Sequence, residues 1–242
     1  MKLLEYNADP SVPRSTDGAT PLYVAVKKSY KGVVRVLLSS AQHKEVNATT
    51  WMGRGPLWMA CQQNHRDAAS ALVNAKAHVN LGDKSGRTPL HQASRGNNLD
   101  CIKLLLRRNA KLNIVTAKPL QMTPLMSAAS RGSAFAVQYL LHSNAAIEPR
   151  DGNGRTALHH AMLGAHTGVV RVFEEWDRIL NSYDEDEDAE AAVMPKTRSN
   201  KKSKKKKSKK TSESSKSRHS KREPPTVNTS DSDLPALRTH GH

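Results

Sequence analysis

"DKSGRTPLHQASRGNNLDCIKLLLRRNAKLN", residues 83–113, decides how the whole chain is read. Thr88-Pro89-Leu90 is a helix start, because a threonine oxygen caps orphan amides and proline presets φ at the first helical position. His91 follows at once and raises the question of a catalytic, metal-binding or structural imidazole. The rest of the chain answers it. Aligned on Pro21, Pro56, Pro89, Pro124 and Ala157, the same phrase recurs at steps of 35, 33, 35 and 33 residues. At the His91 place the other copies carry Tyr23, Trp58, Met126 and His159. A reacting imidazole could not be exchanged for methionine between copies of one unit. His91 and His159 therefore read as structural.

Each copy encodes a helix pair. Thr20, Thr88, Thr123 and Thr156 are candidate N-caps, and Ala25, Ala60, Ala93, Ala128 and Ala161 let neighbouring helices approach. Asn64, Asn97 and Gly132 follow, residues that enter the left-handed region at low cost. A second helix then carries Val34, Leu37 and Leu38, or Ile102, Leu105 and Leu106, or Val137, Leu140 and Leu141. Helices this short gain stability only from burial against neighbours, so stacking is required. The interval from proline to the last aliphatic of the second helix is 17 in Pro21–Leu38, Pro56–Val73, Pro89–Leu106 and Pro124–Leu141. Length varies only in the loops, where a binding face is individualised.

These features resemble ankyrin repeats: Thr-Pro-Leu-His, Ala-Ser or Ala-Ala, an Asn or Gly turn, a Leu-rich helix, and the endings "AHVN" (77–80) and "AKLN" (110–113). The resemblance covers about residues 1–180. It implies an all-α ankyrin-repeat solenoid of helix-turn-helix-loop units, with His91 and His159 bonding across to an adjacent repeat. It also implies protein recognition by the concave face and loop tips. The expected units are a partial leading repeat (1–14), repeats at 15–49, 50–82, 83–117 and 118–150, and a last repeat with a C-terminal cap (151–181). "LLEYNADPSV" reads as the end of a second helix whose first helix is missing, which points to a piece of a longer array. "VVRVFEEWDRILNSY" reads as the cap, with Trp176, Ile179 and Leu180 folding back on the last repeat.

Residues 182–242 read as a disordered tail, acidic then basic. Residues 196–222 hold fourteen Lys or Arg against one Glu, and no aromatic follows Tyr183. Lys201, Lys202, Lys204, Lys205, Lys206, Lys207, Lys209 and Lys210 form the candidate nuclear-targeting run, suited to an importin groove lined with acids. The same charge suits non-specific contact with nucleic acid or anionic lipid. A rival reading follows, in which the tail of a nuclear nucleic-acid-associated protein binds and the repeats are a passive scaffold. Sequence-specific base reading is not expected without aromatic platforms or a fold.

Enzyme signals are lures. "GNGRTA" (152–157) imitates a dinucleotide fingerprint but sits where every other copy has its turn. Asp184, Asp186 and Asp188 imitate a calcium loop, yet Ala189 and Pro195 occupy the required glycine and glutamate places. No Gly-x-Ser-x-Gly, paired-His metal motif or P-loop occurs. Cys61 and Cys101 read as two small buried hydrophobes in a reduced compartment. The expectation is a non-catalytic scaffold without cofactor or metal, monomeric and cytoplasmic or nuclear, with no signal peptide and no membrane span.

Residues 1–181 hold 23 basic and 12 acidic residues, which favours an acidic partner surface with apolar character. The partner-binding candidates start with Trp51, Met52 and Arg54 on one loop, and Trp58, Met59, Gln62 and Gln63 on the helix beside it. Lys84, Arg87, Gln92 and Arg95 extend the strip, followed by Leu120, Met122 and Arg131. Tryptophan and arginine are the types most enriched at binding hot spots.

Overall fold

The computed structural model describes residues 12–39 and 45–179. Two helices form per repeat: α1 (Pro21–Lys27), α2 (Lys31–Ser39), α3 (Pro56–Gln62), α4 (Arg66–Asn74), α5 (Pro89–Arg95), α6 (Leu99–Arg107), α7 (Pro124–Ala129), α8 (Ala134–His142), α9 (Ala157–Leu163) and α10 (167–179). Among the described residues every regular element is helical. The expectations for the tail, for Leu180 and for most of the leading partial repeat lie outside the described residues. The opening helices stack in one layer, α1 on α3, α3 on α5, α5 on α7 and α7 on α9. The second helices stack in another, α2 on α4, α4 on α6 and α6 on α8.

Local chemistry sets the element ends. The hydroxyls of Thr20, Thr123 and Thr156 accept from the amides of Tyr23, Met126 and His159, while Gly55 occupies the cap of α3 without a side chain to offer. The residue eight places after each proline register is left-handed: Ser29, Asn64, Asn97, Gly132 and Ala165. Three of these are the Asn and Gly positions expected from sequence. Ser29 and Ala165 adopt the same φ without a favourable side chain, so the helix-pair geometry overrides a local cost of about 1 kcal/mol.

Burial is repetitive. Leu72, Leu105 and Leu140 are fully enclosed, as are Ile102 and Val137. Between repeats, polar groups at fixed registers bond across each junction. His65, Asn98, Ser133 and His166 share one register, and their side chains donate to the carbonyls of Val26, Cys61, Arg95 and Ser130. Asn47, Asn80 and Asn113 accept from the amides of His78, Lys111 and Ala146, which explains the asparagine that ends each unit. Trp176 of α10 is half-buried and meets His142 edge-on at 5.0 Å between ring centres, so it packs on the second helix of the preceding repeat. Ile179 is 42% exposed, so it does not fold inward.

His91 is 1% exposed. Its Nδ1 accepts from the Thr88 amide at 3.2 Å, and its Nε2 donates to the Met122 carbonyl of the next repeat at 2.9 Å. This is the structural role expected for it. His159 makes the same bond to Thr156 but is exposed, because no described repeat follows to offer it a carbonyl.

Burial pushes the His91 imidazole down to about 4. The unfolded chain, with an ordinary histidine near 6.5, therefore binds the proton first as pH falls. The stabilising effect of the neutral folded ring is complete above about pH 6.5 and is lost towards pH 4. The expected loss is about 3 kcal/mol, in a window above the carboxylate range. Urea denaturation between pH 7 and 4 should show this slope in the native chain. His91→Ala should lower stability by about 1–3 kcal/mol at pH 7 and flatten the slope. An unchanged midpoint at pH 7 would refute the structural assignment.

Candidate protein-recognition face

The loops joining repeats are narrow two-armed turns that lie side by side. Thr50, Asp83 and Asp151 each donate their amide to the carbonyl four residues on, at Arg54, Arg87 and Arg155. The buried carboxylates of Asp83 and Asp151 accept two further amides from their own turns. Burial alone would raise Asp151, but the Arg155 and Asn153 amides and the His160 ring bring it below the ordinary carboxylate value. One backbone bond ties each loop to the one before: Trp51 to Asp17, Lys84 to Met52, Ala117 to Ser85, and Gly152 to Leu120. At Gly86, with φ +74°, a Cβ would stand 2.6 Å from the Ala117 nitrogen. Only glycine lets the tips approach this closely.

On this platform Trp51 and Met52 project outward, 58% and 55% exposed. The Trp51 indole does not stack on Trp58. It lies over Gly18 of the preceding loop, where a Cβ would be 2.6 Å from its Cδ1. Arg54 is half-buried, its guanidinium 4.9 Å from the Trp58 ring centre.

Three partner-facing expectations need correction. Trp58, Met59 and Gln92 are 2%, 3% and 4% exposed and do not reach the surface. Trp58 stands in the His91 register, and its indole Nε1 donates to the Arg87 carbonyl at 2.9 Å. Arg87 and Met122 both lie two residues before a proline register, so tryptophan and histidine make the same inter-repeat bond. Met59 and Gln92 fall one residue later, where Ser127 is buried too. Of the other candidates, Gln62, Gln63, Lys84, Arg95, Leu120 and Arg131 are exposed, and Arg87 and Met122 are half-buried.

Arg87, Arg95 and Arg131 take part in none of the ion pairs found among the described residues. Partial burial, then the Arg131 and Arg87 charges, hold Arg95 below the ordinary arginine value. Val115, 48% exposed on the loop before Leu120, was not anticipated. Its loop is two residues longer than its neighbours, the signal that could have drawn attention to it.

The two tryptophans should respond oppositely to substitution. Trp58→Phe removes the inter-repeat donor and should lower stability by about 1–3 kcal/mol. Trp51→Ala should change it by less than about 0.5 kcal/mol, as usual for a surface site. Urea denaturation of both variants checks the contrast, and the reverse ranking would exchange their roles. Among the described residues no group of acids, histidines and cysteines is placed to hold a metal ion, and no helix is long and apolar enough to cross a membrane.

Comparison with known proteins agrees with this architecture. The family model described as "Ankyrin repeats (3 copies)" matches residues 42–116 and 110–178, and that described as "Ankyrin repeat" matches residues 17–51. The Homo sapiens ankyrin repeat and SOCS box protein 16 is 34% identical over 150 residues, 62% of this chain and 32% of the relative. Tyrosine-protein kinase HTK16 of Hydra vulgaris is 30% identical over 158 residues, 65% of this chain and 21% of the kinase. The Rattus norvegicus Arf-GAP with coiled-coil, ANK repeat and PH domain-containing protein 2 is 33% identical over 111 residues, 46% and 14% of the two chains. This chain thus spans a third or less of these relatives. Matching stretches occur in chains with quite different names, so what is shared is the repeat module. By its repeat period, its helix pairs and these matches, the chain belongs to the ankyrin repeat family, whose repeats mediate protein–protein interaction.

Proposed function

We propose that this chain is a non-catalytic scaffold or adaptor that binds a protein segment carrying both acidic and apolar side chains. The reading is carried by the exposed Trp51 and Met52 at a loop tip, together with Arg54, Arg87, Arg95 and Arg131 on this and the following repeats, none of them in the ion pairs found among the described residues. Asp83, the carboxylate nearest to Arg87 in sequence, is consumed inside its own turn, as is Asp151 in the corresponding loop. An acidic segment would relieve the mutual repulsion of the guanidiniums with charge-assisted hydrogen bonds. Trp51, Met52 and Leu120 would cover its apolar side chains, with Met122, Lys84, Gln62 and Gln63 at the margin. Arginine and tryptophan supply such contacts at modest entropic cost.

With a captured partner, Trp51→Ala and Arg95→Glu should each weaken binding by at least about 1 kcal/mol, the usual hot-spot threshold, with melting temperature unchanged. Added salt should weaken the native complex more than the Arg95→Glu complex. Unchanged affinity per folded molecule in both variants would place the site elsewhere.

The lysine run belongs to the same proposal as a nuclear-targeting element, centred on Lys201–Lys210 and read by an importin. Its support is charge: fourteen basic residues against one acidic between 196 and 222. The protein would work as a monomer in cytoplasm, nucleus or both. Residues 196–222 fused to a large cytosolic reporter should carry it into nuclei. A reporter that stays outside would remove import and leave the non-specific nucleic-acid and anionic-lipid readings. Salt-sensitive polynucleotide binding lost on deleting 196–222 would then favour the nucleic acid.

A further inference from the structure

We propose that the open end of the helix stack, at the tip of the last loop and along α9, is covered by the chain's own acidic segment, residues 180–194. The internal junctions show what such an end requires. At each one, the loop that follows a second helix gives an amide to the tip of the loop before it. A Cβ at Gly18, Gly53 or Gly86 would accordingly stand 2.6, 2.8 or 2.6 Å from that next loop, whereas at Gly154 it would meet nothing within 4 Å. The face of α9 is open in the same way. One, two and five residues after the proline register, the first four repeats bury every side chain to 5% exposure or less. In the fifth repeat Leu158 is half-buried, His159 is exposed, and Met162 is 63% exposed.

The tip carries exposed positive charge. Arg150 is held there by the Gly154 carbonyl, its Nη1 donating at 3.0 Å. Arg155 is exposed and takes part in none of the ion pairs found among the described residues. The Asp151 carboxylate is turned inward, to amides of its own turn and to His160.

Chain length selects the occupant. Lys84, Ala117 and Gly152, which bind the preceding tip, each stand 28 residues after the previous proline register, and Trp51 stands 30 after it. The same two counts from Ala157 end at Glu185 and Glu187. Both belong to the run Asp184, Glu185, Asp186, Glu187, Asp188 and Glu190, which has no basic residue between Arg178 and Lys196. Tyr183 precedes the run and Val193 and Met194 follow it, apolar groups suited to Leu158 and Met162. Carboxylates at this place would gain charge-assisted hydrogen bonds from Arg150 and Arg155. A segment tethered to α10 is also presented at a high effective concentration, which a separate molecule is not. The site shares no residue with the partner-facing strip proposed above.

The test uses the full chain with Met162→p-benzoylphenylalanine, irradiated, digested with trypsin and weighed. In the monomeric fraction the photo-label should join the peptide 179–196, the tryptic fragment that carries the segment. A tethered segment also strikes the label at random, so charge supplies the control. Changing the six carboxylates to amides, or Arg150→Ala with Arg155→Ala, should cut that link several-fold. Salt at about 1 M, where the screening length is about 3 Å, should do the same. Failure to join 179–196, a link to a second molecule instead, or an equal yield in the neutralised chains would overturn the inference. Circular dichroism checks that each variant is folded, and the chain with neutralised carboxylates, altered only outside the repeats, carries the test if the arginine variant is not.

Discussion

A helix of seven to nine residues does not hold itself together in water, and this protein's core is built from helices of about that length. The whole structure therefore depends on burying each helix pair against the next. Hydrophobic contact supplies the drive, but it is non-directional and would tolerate sliding. Polar groups set the register: loop amide to loop carbonyl, terminal asparagine to the next repeat's amide, second-helix side chain to the previous first helix, and an aromatic or imidazole donor to the carbonyl ahead of the next proline. Several of these pair groups that are buried or part-buried at a junction, so a slipped register would strand more than one at once.

That division of labour explains what could be read from the sequence. Threonine caps, the asparagine and glycine turns, and the role of His91 are tied to one repeating register, so five copies reveal them. Trp58 was read as partner-facing because tryptophan is a common anchor at interfaces, whereas its register already marked it as a stand-in for histidine. Met59 and Gln92 mislead for a related reason: their residue types suit a partner face, whereas their position within the unit is a buried one. Which side chains project from a loop tip depends on how the loops lean together, and the Trp51 indole over Gly18 is a result of that packing.

Function and stability occupy separable parts of the unit. Buried positions repeat with conservative chemistry, and the aspartates of the turns spend their charge on amides of their own backbone. What remains at the surface of the strip is an excess of guanidinium and a few large apolar side chains. Such a surface is an unfinished interaction, with positive charges on a scaffold whose turn aspartates are committed to their own backbone.

Met126 stands where Trp58 and His91 stand in the two preceding repeats, and it has no N–H to send forward. Its sulfur turns back instead to accept the Thr123 amide of its own helix. The junction between the fourth and fifth repeats thus lacks a tether that the second and third junctions possess. In a linear array, cooperativity is the strength of nearest-neighbour coupling. Under pulling force or mild heating, the last helix pair is held to its neighbour with one such bond fewer than the repeats joined at the second and third junctions.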